Sequence, residues 1–142
     1  MHGCRRLLLA AVLAAAVGVA PAPAFAPVTA SARTTVTIAL TGGYAKRPVT
    51  ACGLRRSYRF YRVGGKVSFQ GTVSPTPSGT FGVRVVVRRC SGREFTVVKQ
   101  VRATGEPGGR YRGSFPVSVA SNCYVQAVYS GSKSNRDYFA IR

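Results

Sequence analysis

Apolar and polar residues alternate along most of the chain from about residue 34 onward. In one stretch Val83, Val85 and Val87 form one side of the alternation, and Arg84 and Arg88 form the other. A period of two in a segment rich in β-branched residues is typical of a strand with one buried face. The pattern predicts strands at 34–40, 66–73, 82–89, 94–102, 110–119, 123–129 and 137–142.

Turn-forming residues separate the predicted strands. Clusters of Gly, Pro, Ser and Asn, such as 74–79 and 105–109, mark the connections. Seven short strands at this spacing predict an all-β fold, a single antiparallel β-sandwich. Residues 41–65 follow the alternation least well. We interpret them as a basic insertion that carries an extra strand at about 57–63.

The N-terminal segment has the layout of a secretory signal peptide. Arg5 and Arg6 precede an apolar run over 7–20, and small residues and prolines follow. No second apolar run of membrane-spanning length occurs later in the sequence. We therefore expect a secreted, extracellular protein, either free or associated with the cell wall. The predicted division is a signal peptide at 1–32, cleaved after Ala32 or Ala24, and a domain at 33–142.

The charge of the chain is strongly positive. It carries 21 Lys and Arg against 3 Asp and Glu, a formal net charge of +18 at pH 7. Such a charge favours anionic partners and disfavours self-association. The expected partner is an anionic cell-wall or extracellular polymer, and nucleic acid fits the charge in an unspecific way. A GC-rich genome would produce the same arginine content without any binding role.

Four stretches carry a resemblance to a known family: KVSFQGTVSP at 66–75, VRVVVRRC at 83–90, FTVVKQVRATGEPGGRYRGSFPV at 95–117 and CYVQAVYSGSKSN at 123–135. They resemble the immunoglobulin-like domains of secreted and cell-surface proteins of actinobacteria and other bacteria. The resemblance covers about half of the chain and implies a β-sandwich without implying an activity. The insertion at 41–65 and the odd number of cysteines after the signal peptide depart from the family pattern.

The cysteines of the expected mature chain are Cys52, Cys90 and Cys123. In an immunoglobulin-like sandwich, Cys90 would end one strand and Cys123 would begin its antiparallel neighbour. The resemblance therefore implies a Cys90–Cys123 disulfide in an exported protein. Cys52 is left unpaired or intermolecular, so the protein is expected to be a monomer, or a dimer through Cys52.

The inventory of reactive side chains argues against catalysis. No histidine follows His2, which excludes Ser-His and Cys-His pairs in the mature chain. The carboxylates are Glu94, Glu106 and Asp137, and no pair of them is expected to share a cleft. The cysteines lack metal-binding spacing. We therefore expect no enzyme activity, no cofactor and no metal.

Two arginine-rich segments are the candidate binding sites. In 55–62, arginines interleave with aromatic residues at strand spacing, which suits phosphate or carboxylate recognition combined with ring stacking. An ordinary strand with core aromatics and solvated arginines would show the same pattern. A second group includes Arg89, Arg93, Arg110 and Arg112. The polyanion-binding candidates are Arg55, Arg56, Tyr58, Arg59, Tyr61, Arg62, Arg84 and Arg88.

These observations favour a secreted, non-enzymatic, immunoglobulin-like binding or structural module that associates with anionic envelope polymers through arginines. A released cationic effector, antimicrobial or inhibitory, is the first alternative, although the chain lacks the dense disulfides of small toxins. An extracellular nucleic-acid binder is the second. A carrier similar to the apoproteins of enediyne antibiotics has no matching motif here.

Overall fold

The computed structural model describes residues 18–27 and 30–142. The basic start and most of the apolar run of the predicted signal peptide lie outside the described residues. Residues 18–27 form neither helix nor strand. Within the described ranges, no helix is long and apolar enough to cross a membrane.

The fold is all-β, and its strands all lie within residues 31–142. The structure confirms the predicted class, but the residues it describes form eleven strands, more than the seven and the extra strand predicted from the sequence. The strands are β1 (Thr35–Val36), β2 (Ala39–Thr41), β3 (Ala45–Ala51), β4 (Leu54–Tyr61), β5 (Lys66–Ser74), β6 (Phe81–Ser91), β7 (Glu94–Glu106), β8 (Arg110–Pro116), β9 (Ser121–Tyr129), β10 (Ser132–Lys133) and β11 (Asp137–Ile141).

The strands form one mixed sheet in the order β1-β5-β8-β7-β6-β9-β11-β4-β3, with β2 beside β5 and β10 beside β9. All pairings are antiparallel except β4 with β11, which run parallel. The sheet is curled, because Phe115 of β8 contacts Phe139 of β11 at 5.9 Å between ring centroids, although these strands are not neighbours. Both rings belong to one buried apolar cluster.

The period-two pattern of β6 is confirmed by burial. Val83 and Val85 are fully buried and Val87 nearly so, whereas Arg84 is exposed and Arg88 is half-buried. Since successive side chains of a strand point to opposite faces, the valines form the core side of β6. The arginines therefore occupy the outer side.

The segment 41–65 holds two strands instead of the single strand predicted at about 57–63. β3 and β4 form a hairpin through the pair Ala51–Leu54, with positive φ at both turn residues, Cys52 (48°) and Gly53 (73°). Two such residues are the signature of a tight type I′ turn. The alternation of apolar and polar residues does not predict β3, because its sequence, AKRPVTA, alternates weakly and contains Pro48.

Two long strands, β3 and β7, each have an edge that is largely unpaired, and both edges are interrupted. β3 ends the sheet and contains Pro48, which has no N–H to offer to a further strand. β7 pairs with β6 along its length, and its other side meets β8 only at the pairs that involve Gly105 and Glu106. A bulge near Val98 interrupts β7 and leaves Val97 and Val98 46% and 45% exposed.

The predicted Cys90–Cys123 disulfide is wrong, because the structure joins Cys52 to Cys90. In the register of β6 and β9, Arg89 lies opposite Cys123. Cys90 therefore points to the face opposite Cys123. Cys123 is a buried free thiol in the main core. Because Cys52 is bonded to Cys90, the prediction that Cys52 is unpaired or links two chains is also wrong.

The disulfide fastens the tip of the β3–β4 hairpin to β6. A second apolar cluster lies under the hairpin, on the outer side of the sheet. Its aromatic members contact one another, with ring centroids 5.4 Å apart for Tyr58 and Tyr138 and 4.9 Å apart for Phe95 and Tyr124. The hairpin is thus held by packing as well as by a covalent link.

Candidate functional site

Three cations lie in a line across the outer side of the sheet. Arg102 of β7 is directly opposite Arg84 of β6, Arg84 is opposite Val128 of β9, and Val128 is opposite Lys133 of β10. Residues opposite one another on neighbouring strands share a face. We call Arg102, Arg84 and Lys133 the cationic row; all three are exposed.

The arginines of the cationic row have no carboxylate partner in the described parts of the chain. The ion pair found there is Arg112–Glu106, at 3.4 Å between Nη2 and Oε1, and it lies at β7 and β8. Like charges directly opposite each other destabilise a sheet. The Arg84–Arg102 pair therefore carries a repulsion that a bound anion would relieve.

Polar groups and a shallow depression surround the cationic row. The next row across the sheet is Gln100, Val86 and Gln126. A depression of about 320 Å³ lies beside Arg84 and Arg102. Arg88 lies further along β6, half-buried, with Nη1 donating to the carbonyl oxygen of Phe95 at 3.5 Å. Of the two predicted outer arginines of β6, Arg84 is the more available to a ligand.

The predicted basic–aromatic segment does not form one binding surface. Tyr58 is 0% exposed and Tyr61 belongs to the main core, so neither ring can stack on a ligand. The prediction that Tyr58 and Tyr61 bind a polyanion is therefore wrong, because both rings are buried. Successive side chains of β4 point to opposite faces, so Tyr61 packs in the main core and Tyr58 packs in the second apolar cluster. The aromatics of this strand are needed for packing.

The arginines of the same segment are dispersed. Arg55 and Arg56 are exposed near the hairpin tip, on opposite faces of β4. Arg59 is half-buried and donates from Nη1 to the carbonyl oxygen of Gly42 at 2.9 Å. Arg62 follows β4 and is exposed. The four cations therefore do not converge on a single site.

Two of the buried tyrosines, Tyr58 and Tyr61, differ in the hydrogen bonding of their hydroxyl groups. Tyr61 donates to the carbonyl oxygen of Thr41 at 2.6 Å. The hydroxyl of Tyr58 has no hydrogen-bond partner in the described part of the protein. Burial, together with the neighbouring Tyr138, raises the pKa of Tyr58 to about 12. Burial also raises the pKa of Tyr61 to about 12.

A second surface feature was missed by the sequence analysis. Tyr44 is 54% exposed, and its ring meets the ring of Phe60 edge-on at 6.1 Å between centroids. The guanidinium carbon of Arg62 lies 5.9 Å from the Tyr44 ring centroid, and that of Arg142 lies 5.9 Å from the Phe60 centroid. We call Tyr44, Phe60, Arg62 and Arg142 the aromatic–arginine cluster.

The backbone before Tyr44 is fixed by close contacts. Gly42 and Gly43 have φ of 73° and 77°, a region that favours glycine. A Cβ on Gly43 would come within 2.7 Å of the Phe60 carbonyl oxygen. The Tyr44 N–H donates to that same oxygen at 2.9 Å. The Gly-Gly-Tyr sequence was the available signal for this exposed aromatic residue.

No protein-family model matches the chain, and no curated protein matches it. Among solved structures, it is similar to Pseudomonas fluorescens alkylpurine DNA glycosylase AlkC bound to DNA containing an abasic site analog. The identity is 12%, the TM-score is 0.45, and the match covers 75% of this chain and 30% of that chain. The chain thus spans about a third of that protein's length.

This comparison gives no support to the non-enzymatic module on envelope polymers that was expected from the sequence, and that expectation is not carried further. At a TM-score of 0.45 the likeness assigns neither a fold nor an activity to this chain.

Proposed function

We propose that this protein binds nucleic acid through the cationic row. The observation that carries the proposal is the Arg84–Arg102 pair, two exposed like charges held directly opposite each other without a carboxylate partner in the described residues. Guanidinium groups recognise phosphate through parallel N–H donors. A phosphate between the two arginines would replace their repulsion by attraction.

The spread of the cations suits a polymeric anion better than a single one. Arg84 and Arg102 are on neighbouring strands, whose backbones are about 4.8 Å apart. Lys133 is on the second strand from Arg84, so its backbone is about 10 Å away. Arg88 follows Arg84 by four residues, about 13 Å along the strand. A chain of phosphates can meet several of these cations at once and release condensed counterions, which favours binding.

We further propose an immunoglobulin-like arrangement of the strands. Pairing of β5 with β8 forms one group, and β6, β9 and β11 form another. The contact between Phe115 and Phe139 joins the two groups across the core. This division supports a two-layer sandwich with the β3–β4 hairpin added beside β11.

We also propose that the protein is exported. The proposal is supported by the basic start and apolar run of the N-terminal sequence. The Cys52–Cys90 disulfide is compatible with an oxidising compartment. Export would bring the cationic row into contact with extracellular nucleic acid.

Fluorescence anisotropy with labelled oligonucleotides tests the proposed function. We expect binding to a DNA duplex and to an oligothymidylate, weakened by salt, and poor competition by polyglutamate. The Arg84→Gln/Arg102→Gln variant should bind more weakly. For the oligothymidylate, the plot of log K against log salt concentration should become less steep, by roughly 0.7 in slope for each lost phosphate contact.

The matched control is Arg110→Gln/Arg112→Gln, which removes the same charge from β8, where Arg112 already pairs with Glu106. It should reduce binding much less than the double variant of the cationic row. Equal losses in the two variants would show that net charge alone binds the polymer. Competition by polyglutamate as strong as that by DNA would overturn nucleic-acid binding as the function.

A further inference from the structure

We propose that the aromatic–arginine cluster stacks an unpaired base, so that the protein prefers single-stranded over duplex nucleic acid. This inference rests on the proposed function and adds the class of nucleic acid to it. Proteins that bind single strands combine cations along the backbone with aromatic rings on which bases stack. Duplex DNA keeps its base faces covered by neighbouring bases and cannot use such a ring.

The ring of Tyr44 is available to a ligand. It is 54% exposed, whereas Tyr58, Tyr61 and Tyr111 are all buried. Its contact with Phe60 is edge-on, with an interplanar angle of 60°, so the Phe60 ring is not stacked in parallel on the Tyr44 ring. The Arg62 guanidinium carbon, 5.9 Å from the centroid, is beyond the roughly 3.5–4.0 Å of close packing. A base can therefore reach a face of Tyr44.

The position of Tyr44 is fixed before any ligand binds. Its N–H donates a hydrogen bond to the carbonyl oxygen of Phe60, and the carbonyl oxygen of Gly42, two residues earlier, accepts a hydrogen bond from Arg59. Tyr61 holds the carbonyl oxygen of Thr41 in the same way. A ring on a fixed backbone loses little conformational freedom when a base stacks on it, which favours binding.

Cations for the adjoining phosphates surround the rings. Arg62 and Arg142 lie beside Tyr44 and Phe60, and exposed Lys46 lies opposite Arg59 in the hairpin. Arg142 also donates from Nη2 to the side-chain oxygen of Asn122 at 2.6 Å, which orients it beside Phe60. Guanidinium planes can stack on bases as well as pair with phosphate. Arg59 is a positioning residue, since its guanidinium is already bonded to the backbone.

Substitution of Tyr44 by tryptophan gives a direct measurement of stacking. The chain contains no tryptophan, so Tyr44→Trp introduces a single tryptophan, whose emission is distinct from that of the tyrosines. Oligothymidylate should quench its emission, with saturation at the same concentration as the anisotropy change. The control is Ser114→Trp, on an exposed position of β8, where the emission should change little.

Binding measurements provide a second readout. Tyr44→Ala should weaken oligothymidylate binding by roughly 5- to 150-fold, the effect of losing one stacked base. Its affinity for a DNA duplex should not change, which also verifies that the variant is folded. Tyr44→Phe keeps the ring and should retain most of the single-strand affinity.

The outcomes separate this inference from the proposed function. If wild type binds oligothymidylate but Tyr44→Ala binds it equally well, the stacking role is overturned and the proposed function stands. Equal quenching of Tyr44→Trp and Ser114→Trp leads to the same conclusion. If wild type binds neither oligothymidylate nor duplex, both proposals are wrong. Quenching by an acidic glycan alone would also overturn the assignment of the cluster to bases.

Discussion

Arg89, and not Cys90, is the residue of β6 that lies opposite Cys123 of β9. Because the side chains of a strand alternate, this offset of one residue places the Cys90 and Cys123 side chains on opposite faces of the sheet. Cys123 is enclosed in the main core, and Cys90 meets the hairpin tip at Cys52. A single step of register thus determines which pair of cysteines is joined.

We expect peptide mapping without reduction to recover Cys52 linked to Cys90, and Cys123 as a free thiol that reacts only after unfolding. Burial raises the pKa of the Cys123 thiol, which further slows its alkylation in the folded protein. Recovery of a Cys90–Cys123 peptide from folded protein would contradict the observed register.

Loss of the disulfide should be costly. The link closes a separation of 38 residues, and Cys52→Ser should lower the free energy of unfolding by roughly 3–4 kcal/mol on the chain-entropy estimate. Urea denaturation measures the difference. Reduction of the wild-type protein should lower stability by a similar amount, and Cys52→Ser should be insensitive to the same reductant.

Tyr58 and Tyr61 should respond in opposite ways to loss of the hydroxyl group. Tyr61→Phe removes a hydrogen bond to Thr41 and should lower the free energy of unfolding by about 1 kcal/mol. Tyr58→Phe removes a buried hydroxyl without a partner in the described residues and should be neutral or stabilising by up to about 1 kcal/mol. Equal destabilisation of the two variants in urea would indicate that Tyr58 has a partner after all.

Stability should decrease at alkaline pH. The pKa of both Tyr58 and Tyr61 is raised from 10.0 to about 12 in the folded protein, mainly by burial. Above pH 10 the unfolded chain loses these protons before the folded chain does, so unfolding becomes more favourable as the pH rises towards 12. The stabilising contribution is complete below pH 10.

Urea midpoints measured across this interval should fall, and they should fall less in Tyr58→Phe, which has one fewer such group. A midpoint that is constant between pH 10 and 12, or a decline identical in wild type and Tyr58→Phe, would contradict the assignment to buried phenols.

Arg84→Thr should stabilise the fold while it weakens binding. The substitution removes the repulsion between Arg84 and Arg102, and a gain of roughly 0.2–1 kcal/mol in the free energy of unfolding is expected at low salt. The gain should shrink at high salt, which screens exposed charges. As a control, Arg112→Thr loses an ion pair and should give no such gain. A loss of stability in Arg84→Thr would contradict this account of the cationic row.

Much of the fold is predictable from the sequence, because period-two alternation reports strands that have one buried face. The valines of β6 are an example. The hairpin is not predictable in this way, since β3 contains Pro48 and β4 contributes to two apolar clusters on opposite faces. Its aromatic residues are alike in sequence, and only the tertiary fold distinguishes buried Tyr58 from half-buried Phe60.

The candidate site was harder to predict than the strands. Arg84 follows from alternation alone, but its neighbours Arg102 and Lys133 are brought beside it by strand pairing. Tyr44 and Arg142 come from distant parts of the chain, and the order β9-β11-β4-β3 brings them to the same region. Register and strand order are properties of the whole sheet, and short sequence windows do not encode them.

The proline of β3 and the bulge of β7 have a consequence for assembly. Growth of a sheet from one molecule to the next requires a continuous row of free N–H and C=O groups at an edge. Pro48 interrupts that row in β3, and the extra residue near Val98 interrupts it in β7. Many copies bound along one nucleic acid would therefore coat it as separate molecules and would not polymerise into a fibre.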